Sequence, residues 1–285
     1  MNDLAGLAQA VAQEAGEFVH AKRLEEFHVQ SKDQGSTPAS HVVTEVDRAS
    51  QDLILERLRP SMDRYDLGLL AEESEDNSSR LERDYFWCVD PLDGTLSFVK
   101  GHSGYSVSIA LVRRDGMAVI GAIFDPVSGD LFHAQDGKGA FNNGLSIESL
   151  TRSPEDPLCW IMDRSMQSLP NYQELRERME AIAGESGCRG LRIIDFAGAA
   201  LNAAWVTQHA SAVYFKLPKL EPGGGSYWDF AASSCLLQEW GQAATDIHGS
   251  PLRLNQPGST FMNEHGVIYS SRSELTRAVR ALHRA

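Results

Sequence analysis

The chain has 285 residues, 42% of them hydrophobic, enough to bury a large core as one large domain or two packed halves. Its 26 Lys and Arg face 39 Asp and Glu for a net charge of -13, which argues against general attraction to nucleic acid or anionic lipid and leaves any anionic substrate to local positive charge. The four cysteines, Cys88, Cys159, Cys188 and Cys235, are widely spaced and make no CxxC, so neither a zinc site nor a disulfide framework is indicated.

The first stretch, MNDLAGLAQAVAQEAGEF, carries Asp3, Glu14 and Glu17 with no basic segment ahead of an apolar run, so it does not read as a secretory signal. No stretch approaches the roughly 18 to 20 apolar residues that span a bilayer. A cytoplasmic protein is expected. Leu4, Leu7, Val11, Ala15, Phe18 and Val19 recur at helical spacing, and Val46, Ala49, Leu53 and Leu58 do so again ahead of Pro60. Between these two helices, QSKDQGSTPAS reads as a polar loop. From Tyr85 the segments DYFWCVD, YSVSIALV, MAVIGAIFD and DLFHAQ alternate with RRDG, DPVSGD and DGKG turns, which predicts a largely antiparallel sheet.

After TRSPEDP the pattern changes to strands near LCWIMD, LRIID, SAVYF, 243–247 and 267–270. Helices fall near 171–183, 198–208 and 229–240 and from Ser273 onward. Strands alternating with helices predict a second α/β set. A soft boundary near residue 150 divides an N-terminal part, 1–150, holding most of the acidic clusters, from a C-terminal α/β half, 151–285, that supplies Asp229 and the loop KLPKLEPGGGS.

Four acidic clusters stand out: Glu45 and Asp47, Glu72 and Glu73, Asp90 and Asp93, and Asp229. Singly, each has an ordinary explanation. Asp47 and Asp229 suit helix caps, and the run from Glu72 to Asp76 suits a solvated loop. Asp90 and Asp93 resist that account, because Asp90 ends an apolar strand and two neighbouring carboxylates repel unless a cation lies between them. Hard oxygen donors without His or Cys suit Mg²⁺, Mn²⁺ or Ca²⁺ rather than zinc. Pro91 is expected to bend the chain so that the Leu92 carbonyl also faces the ion. Gly94 and Thr95 then open a turn that allows close backbone approach and suits a phosphate. Carboxylate-held metal beside a phosphate seat implies metal-assisted phosphoryl hydrolysis. The histidines, His41, His102, His133, His209, His248 and His265 among them, show no metal-ligand spacing, and no GxSxG or Walker sequence is present.

VTEVD at 43–47, AEES at 71–74, DPLDGTLSF at 90–98 and YWDFAA at 227–232 resemble the four signature blocks of the inositol monophosphatase family, in its order and at roughly its spacing. The resemblance implies a layered αβαβα sandwich, of mixed α+β or α/β class. It implies two or three Mg²⁺ ions, with Mn²⁺ as a substitute, and lithium sensitivity. Glu72, Asp90 and the Leu92 carbonyl would hold the first metal, and Asp90, Asp93 and Asp229 the second. Asp47 and Thr95, with Glu72 beside them, would orient and deprotonate the attacking water, while Asp93, Gly94, Thr95 and Asp229 would face the substrate. The expected partner is a small phosphorylated metabolite, without nucleic acid or membrane; members of the family are often homodimers, while nucleotidases of the group are often monomers.

Some positions depart from the family pattern. Ala71 replaces the glycine usual before the two glutamates. Lys216 stands where inositol-specific members usually carry an acid, followed by Lys219, Glu221 and Gly223, Gly224 and Gly225, read as a flexible lid or turn at the site's edge. Asp195 and Phe196 replace a Gly-Thr or Gly-Ser step. A cation at Lys216 suits a second phosphate, as in a 3'(2'),5'-bisphosphate nucleotidase converting adenosine 3',5'-bisphosphate to AMP; alternatively Lys216 and Lys219 are solvated loop charges. An inositol or sugar monophosphatase is the neighbouring expectation, and a regulatory binding protein of the same fold the one from another class.

Overall fold

The computed structural model describes residues 1–23, 29–31, 42–149, 156–242 and 244–283. Residues 32–40 of the polar loop, His41 and residues 151–155 of TRSPEDP lie outside the described residues, as does the boundary read near 150.

Helix α1 (Asn2–Lys22) buries Leu4, Ala8, Val11, Ala15 and Val19, the stripe its periodicity marks. Strand β1 (Val29–Ser31) pairs antiparallel with β2 (Val42–Thr44) and leads into α2 (Glu45–Tyr65). Pro60 does not end α2, contrary to expectation. Glu56, whose carbonyl loses its helical partner to the proline, lies on the exposed face with Pro60, so water can replace the missing bond. Beyond it Ser61 is held in the core: its hydroxyl donates to the Leu58 carbonyl at 2.6 Å and accepts from Trp87 Nε1 at 3.0 Å.

Next come β3 (Gly68–Ala71), α3 (Ser79–Glu82), β4 (Tyr85–Asp93), α4 (Thr95–Val99), β5 (Ser106–Arg113), β6 (Ala118–Asp125), β7 (Asp130–Gln135), β8 (Gly139–Asn142) and β9 (Leu145–Ser146). They form a seven-stranded sheet in chain order, antiparallel except where β3 runs parallel to β4. The second sheet is built from β10 (Leu158–Ile161), β11 (Leu191–Ile194), β12 (Ala212–Lys216), β13 (Ala244–Thr245) and β14 (Val267–Ser270), in the order β11-β10-β12-β14-β13. Its helices are α5 (Tyr172–Glu185), α6 (Ala199–Trp205), α7 (Tyr227–Glu239) and α8 (Ser273–Leu282).

Three core clusters define the layers. One joins α1 and α2 to the first face of the large sheet, through residues such as Val11, Ile54, Trp87 and Ile109. The second packs the opposite face of that sheet, with Phe86, Ala110 and Phe132, onto α6, α7 and the small sheet's Ile161, Tyr214 and Tyr269. The third sets α5 and α8 on the outer face of the small sheet, around Trp160, Phe215 and Met179. The order helix, sheet, helix, sheet, helix is the expected αβαβα sandwich. Strand β6 is gripped on both faces. A Cβ on Gly121 would lie 2.3 Å from the Ala232 carbonyl oxygen of α7, and one on Gly16 of α1 would lie 2.3 Å from the Phe124 ring.

Candidate active site

Side chains alternate across a strand, so Asp90 and Asp93, three apart, would face opposite sides of a regular β4. The ladder solves this with a bulge. Asp90 pairs with Ser108 and Asp93 with Ser106, three steps on β4 against two on β5. Pro91 sits inside this irregularity, so the chain bulges within the strand and does not bend away after Asp90. Ser50 Oγ holds the bulge by donating to the Pro91 carbonyl at 2.9 Å. Gly94 follows at φ 83°, where a Cβ would come within 2.7 Å of the Gly104 carbonyl oxygen, so both the backbone angle and the close approach demand glycine.

Asp229 arrives from the other half. It is the third residue of α7, with Ser226 as the N-cap whose N–H donates to its carboxylate, so it does not itself begin the helix as expected. The glycine run before it is also not a free lid. A Cβ on Gly225 would lie 2.5 Å from the Phe230 ring and 3.0 Å from Asp229 Oδ2, and the Gly225 carbonyl accepts the Met262 N–H at 2.9 Å. Carboxylate oxygens of Asp90, Asp93 and Asp229 converge within 4.8 Å of one another. Asp93 is further fixed from α6, accepting the N–H groups of Ala199 at 3.0 Å and Ala200 at 2.9 Å.

Burial, then the neighbouring Glu72, Asp93 and Asp229 charges, push the Asp90 carboxyl well above the usual carboxylate range. Burial, followed by Asp229, lifts Asp93 to about 8, against the lowering effect of the Ala200 and Ala199 amides. Glu72 shares a hydrogen bond with Asp90, whereas the Glu73 charge acts on Asp47 and its N–H donates to Gln51 Oε1 at 2.9 Å. The two glutamates therefore face different parts of the site. Asp90 and Asp93 are buried and Asp229 partly so, and such a set of mutually repelling oxygen donors has the chemistry to hold a hard divalent cation.

Thr95 and Asp47 meet beside this cluster. The Thr95 hydroxyl lies within donating distance of two acceptors, Asp47 Oδ1 at 3.0 Å and the Leu92 carbonyl at 3.1 Å. Asp47 is not the cap of α2. Thr44 is, and Asp47 completes the capping box: its Oδ2 accepts the Thr44 N–H at 2.8 Å and the Thr44 hydroxyl at 2.5 Å. Burial raises the Asp47 carboxyl, with the Thr44 hydrogen bonds opposing it.

Lys216, at the end of β12, is not a solvated loop charge. Only 16% of its side chain is exposed; Nζ pairs with Asp163 Oδ2 at 2.8 Å and stands 5.5 Å from the Phe230 ring centroid. Burial disfavours its charge, yet Asp163 and Asp229 outweigh that and hold its pKa above the ordinary lysine value. Asp163 is a site residue that motif reading missed. Its Oδ1 accepts Tyr214 Oη at 2.9 Å and Asn202 Nδ2 at 3.4 Å. No motif marks it; strand register does, since β10 and β12 run parallel with Ile161 beside Tyr214 and Asp163 meets Lys216 two residues further on. Asp195, at the other departure, accepts from Gln167.

The profile of the inositol monophosphatase family matches residues 1–285. Nus factor SuhB of Pseudomonas aeruginosa is 32% identical over 259 residues, covering 88% of each chain. Inositol-1-monophosphatase of Bacillus subtilis is 26% identical over 268 residues, 92% of this chain and 89% of its own. The solved inositol monophosphatase from Anabaena (Nostoc) sp. PCC 7120 superimposes with a TM-score of 0.71 at 25% identity, covering 100% of this chain and 96% of that one.

Proposed function

From the premise that the chain belongs to the inositol monophosphatase family of phosphatases, we propose that it is a Mg²⁺-dependent phosphomonoesterase acting on a small phosphorylated metabolite. The observation that carries this reading is the convergence of Asp90, Asp93 and Asp229, with Glu72 on Asp90, next to the Thr95–Asp47 pair. Two or three Mg²⁺ ions, with Mn²⁺ as a substitute, would supply charge neutralisation for a dianionic phosphate and acidity for the attacking water. Glu72, Asp90 and the Leu92 carbonyl would hold one ion, and Asp90, Asp93 and Asp229 another.

The remaining chemistry belongs to the chain's own residues. Thr95 donates its one hydroxyl hydrogen toward Asp47 or Leu92, which leaves its lone pairs to accept a hydrogen bond from water. A proton taken up at Thr95 Oγ can pass to Asp47, whose burial raises its basicity. Asp47 is fully buried and so works through Thr95.

Lys216 narrows the substrate class. A partly buried ammonium at the end of β12, among Asp163, Asp229 and Asp93, favours a substrate with a second anion near its leaving group, such as adenosine 3',5'-bisphosphate, over free inositol phosphate. Phosphate release from adenosine 3',5'-bisphosphate and from inositol 1-phosphate, each with Mg²⁺, tests this. The bisphosphate is expected to have the higher kcat/KM, and Lys216→Glu, assayed with Mg²⁺ saturating for each variant, to damage only that activity; equal loss on both substrates rejects the assignment. The 32% identity to a Nus factor motivates a second reading, a regulatory binding protein of the same fold. Absence of turnover on a broad phosphomonoester panel with Mg²⁺ would favour it.

A further inference from the structure

Lys216 and Asp163 form an ion pair inside the fold, immediately beside carboxylates that already crowd one another. The ammonium, on a side chain only 16% exposed, is held by two groups: Asp163 Oδ2 at 2.8 Å and the Phe230 ring at 5.5 Å. Asp163 is itself immobilised by Tyr214 and Asn202 through its other oxygen. Phe230 follows Asp229 on α7, and the Lys216 charge acts on both Asp229 and Asp93. A fixed positive charge here lowers the affinity of the adjacent carboxylates for a cation, and a fixed negative charge beside it restores part of that affinity.

We propose that the Lys216–Asp163 pair is a built-in affinity regulator of the Asp93/Asp229 ion site, in which Lys216 holds divalent binding weak and Asp163 limits that effect. The proposal rests on the reading that these acids take up divalent cations. It assigns the pair a role independent of any substrate, because the Lys216 charge acts on Asp93 and Asp229 in the protein alone. A protonated lysine has no lone pair to ligate an ion, so its influence is through space. It acts on the ion held by Asp93 and Asp229 more than on the one held by Glu72.

Calorimetric titration of the full chain with Mn²⁺, without substrate, tests this through opposite signs. Lys216→Met is expected to tighten the weakest Mn²⁺ step about tenfold, and Asp163→Asn to weaken the same step by at least about threefold. Lys216→Arg, which keeps the charge, is expected to stay near the wild-type affinity and controls for damage to the fold. A pair that merely props the strand ends would make Met and Asn shift affinity in the same direction, or not at all, and either result overturns the proposal. Wild-type protein that takes up no Mn²⁺ would remove the underlying ion-site reading as well, an outcome separate from wild-type binding with unmoved variants.

Discussion

Asp93 illustrates how a side chain proposed to hold an ion can be costly to the fold. Its carboxyl, raised to about 8 by burial and Asp229, favours the protonated form in the folded protein, whereas an unfolded aspartate titrates near about 3.9. A folded-state pKa above the unfolded one contributes stability that is present in full below the unfolded value and disappears as pH climbs through the folded one. Asp90, raised for the same reason, acts in the same direction. In chelator, Tm is therefore expected to fall from pH 5 to pH 9, with Mg²⁺ recovering the loss at the alkaline end; a flat Tm in chelator would contradict the buried-acid account. Ion uptake near pH 7 should release protons, which calorimetry in buffers of different ionisation enthalpy would register. Asp93→Asn should remove this pH dependence in part and lower kcat by about 10²-fold or more while the protein stays folded. Thr95→Ala should reduce kcat by about 10²-fold with little change in KM, and Thr95→Ser should recover most of it.

Among elements, the bulge in β4 and the glycines around β6 carry the most weight. The outer helices were legible from periodicity because each exposes one face to solvent and buries the other, whereas the main strands, buried on both faces, were legible as short β-branched and aromatic runs between turn signals. Strand β3 was not, since Gly68–Ala71 is only four residues long and gains its identity by pairing with β4. The continuation of α2 past Pro60 was also hidden, because what holds Ser61 is Trp87, 26 positions away. DPLDGT announced two acids, yet only the ladder reveals the extra residue that turns both to one side. Glycine at 121 has a tertiary reason as well: α7 lies against the strand backbone there, and no local turn requires it. Gly121→Val is expected to destabilise the protein by about 2–4 kcal/mol, measurable as a lowered denaturation midpoint with an unchanged slope.

Across the whole molecule, the acids recognisable by motif were also the ones brought together, because the spacing of four blocks along the chain records their convergence. Asp163 carried no such mark. Its partnership with Lys216 exists only because β10 and β12 lie side by side. The second core cluster likewise draws Phe86, Ala110 and Phe132 from before residue 150 and Ile161, Leu201 and Leu236 from after it. A fragment comprising residues 1–149 would expose that surface, and it is expected to show neither a cooperative melt nor fixed side-chain signals when expressed alone.

Strand β6 has every residue buried, with the α7 backbone against its Gly121 on one face and its own Phe124 ring against Gly16 of α1 on the other. Such a strand has no room to breathe locally. Deuterium should therefore enter the amides of Ala118–Asp125 last, at the rate set by unfolding of the entire molecule, long after the chain ends have exchanged.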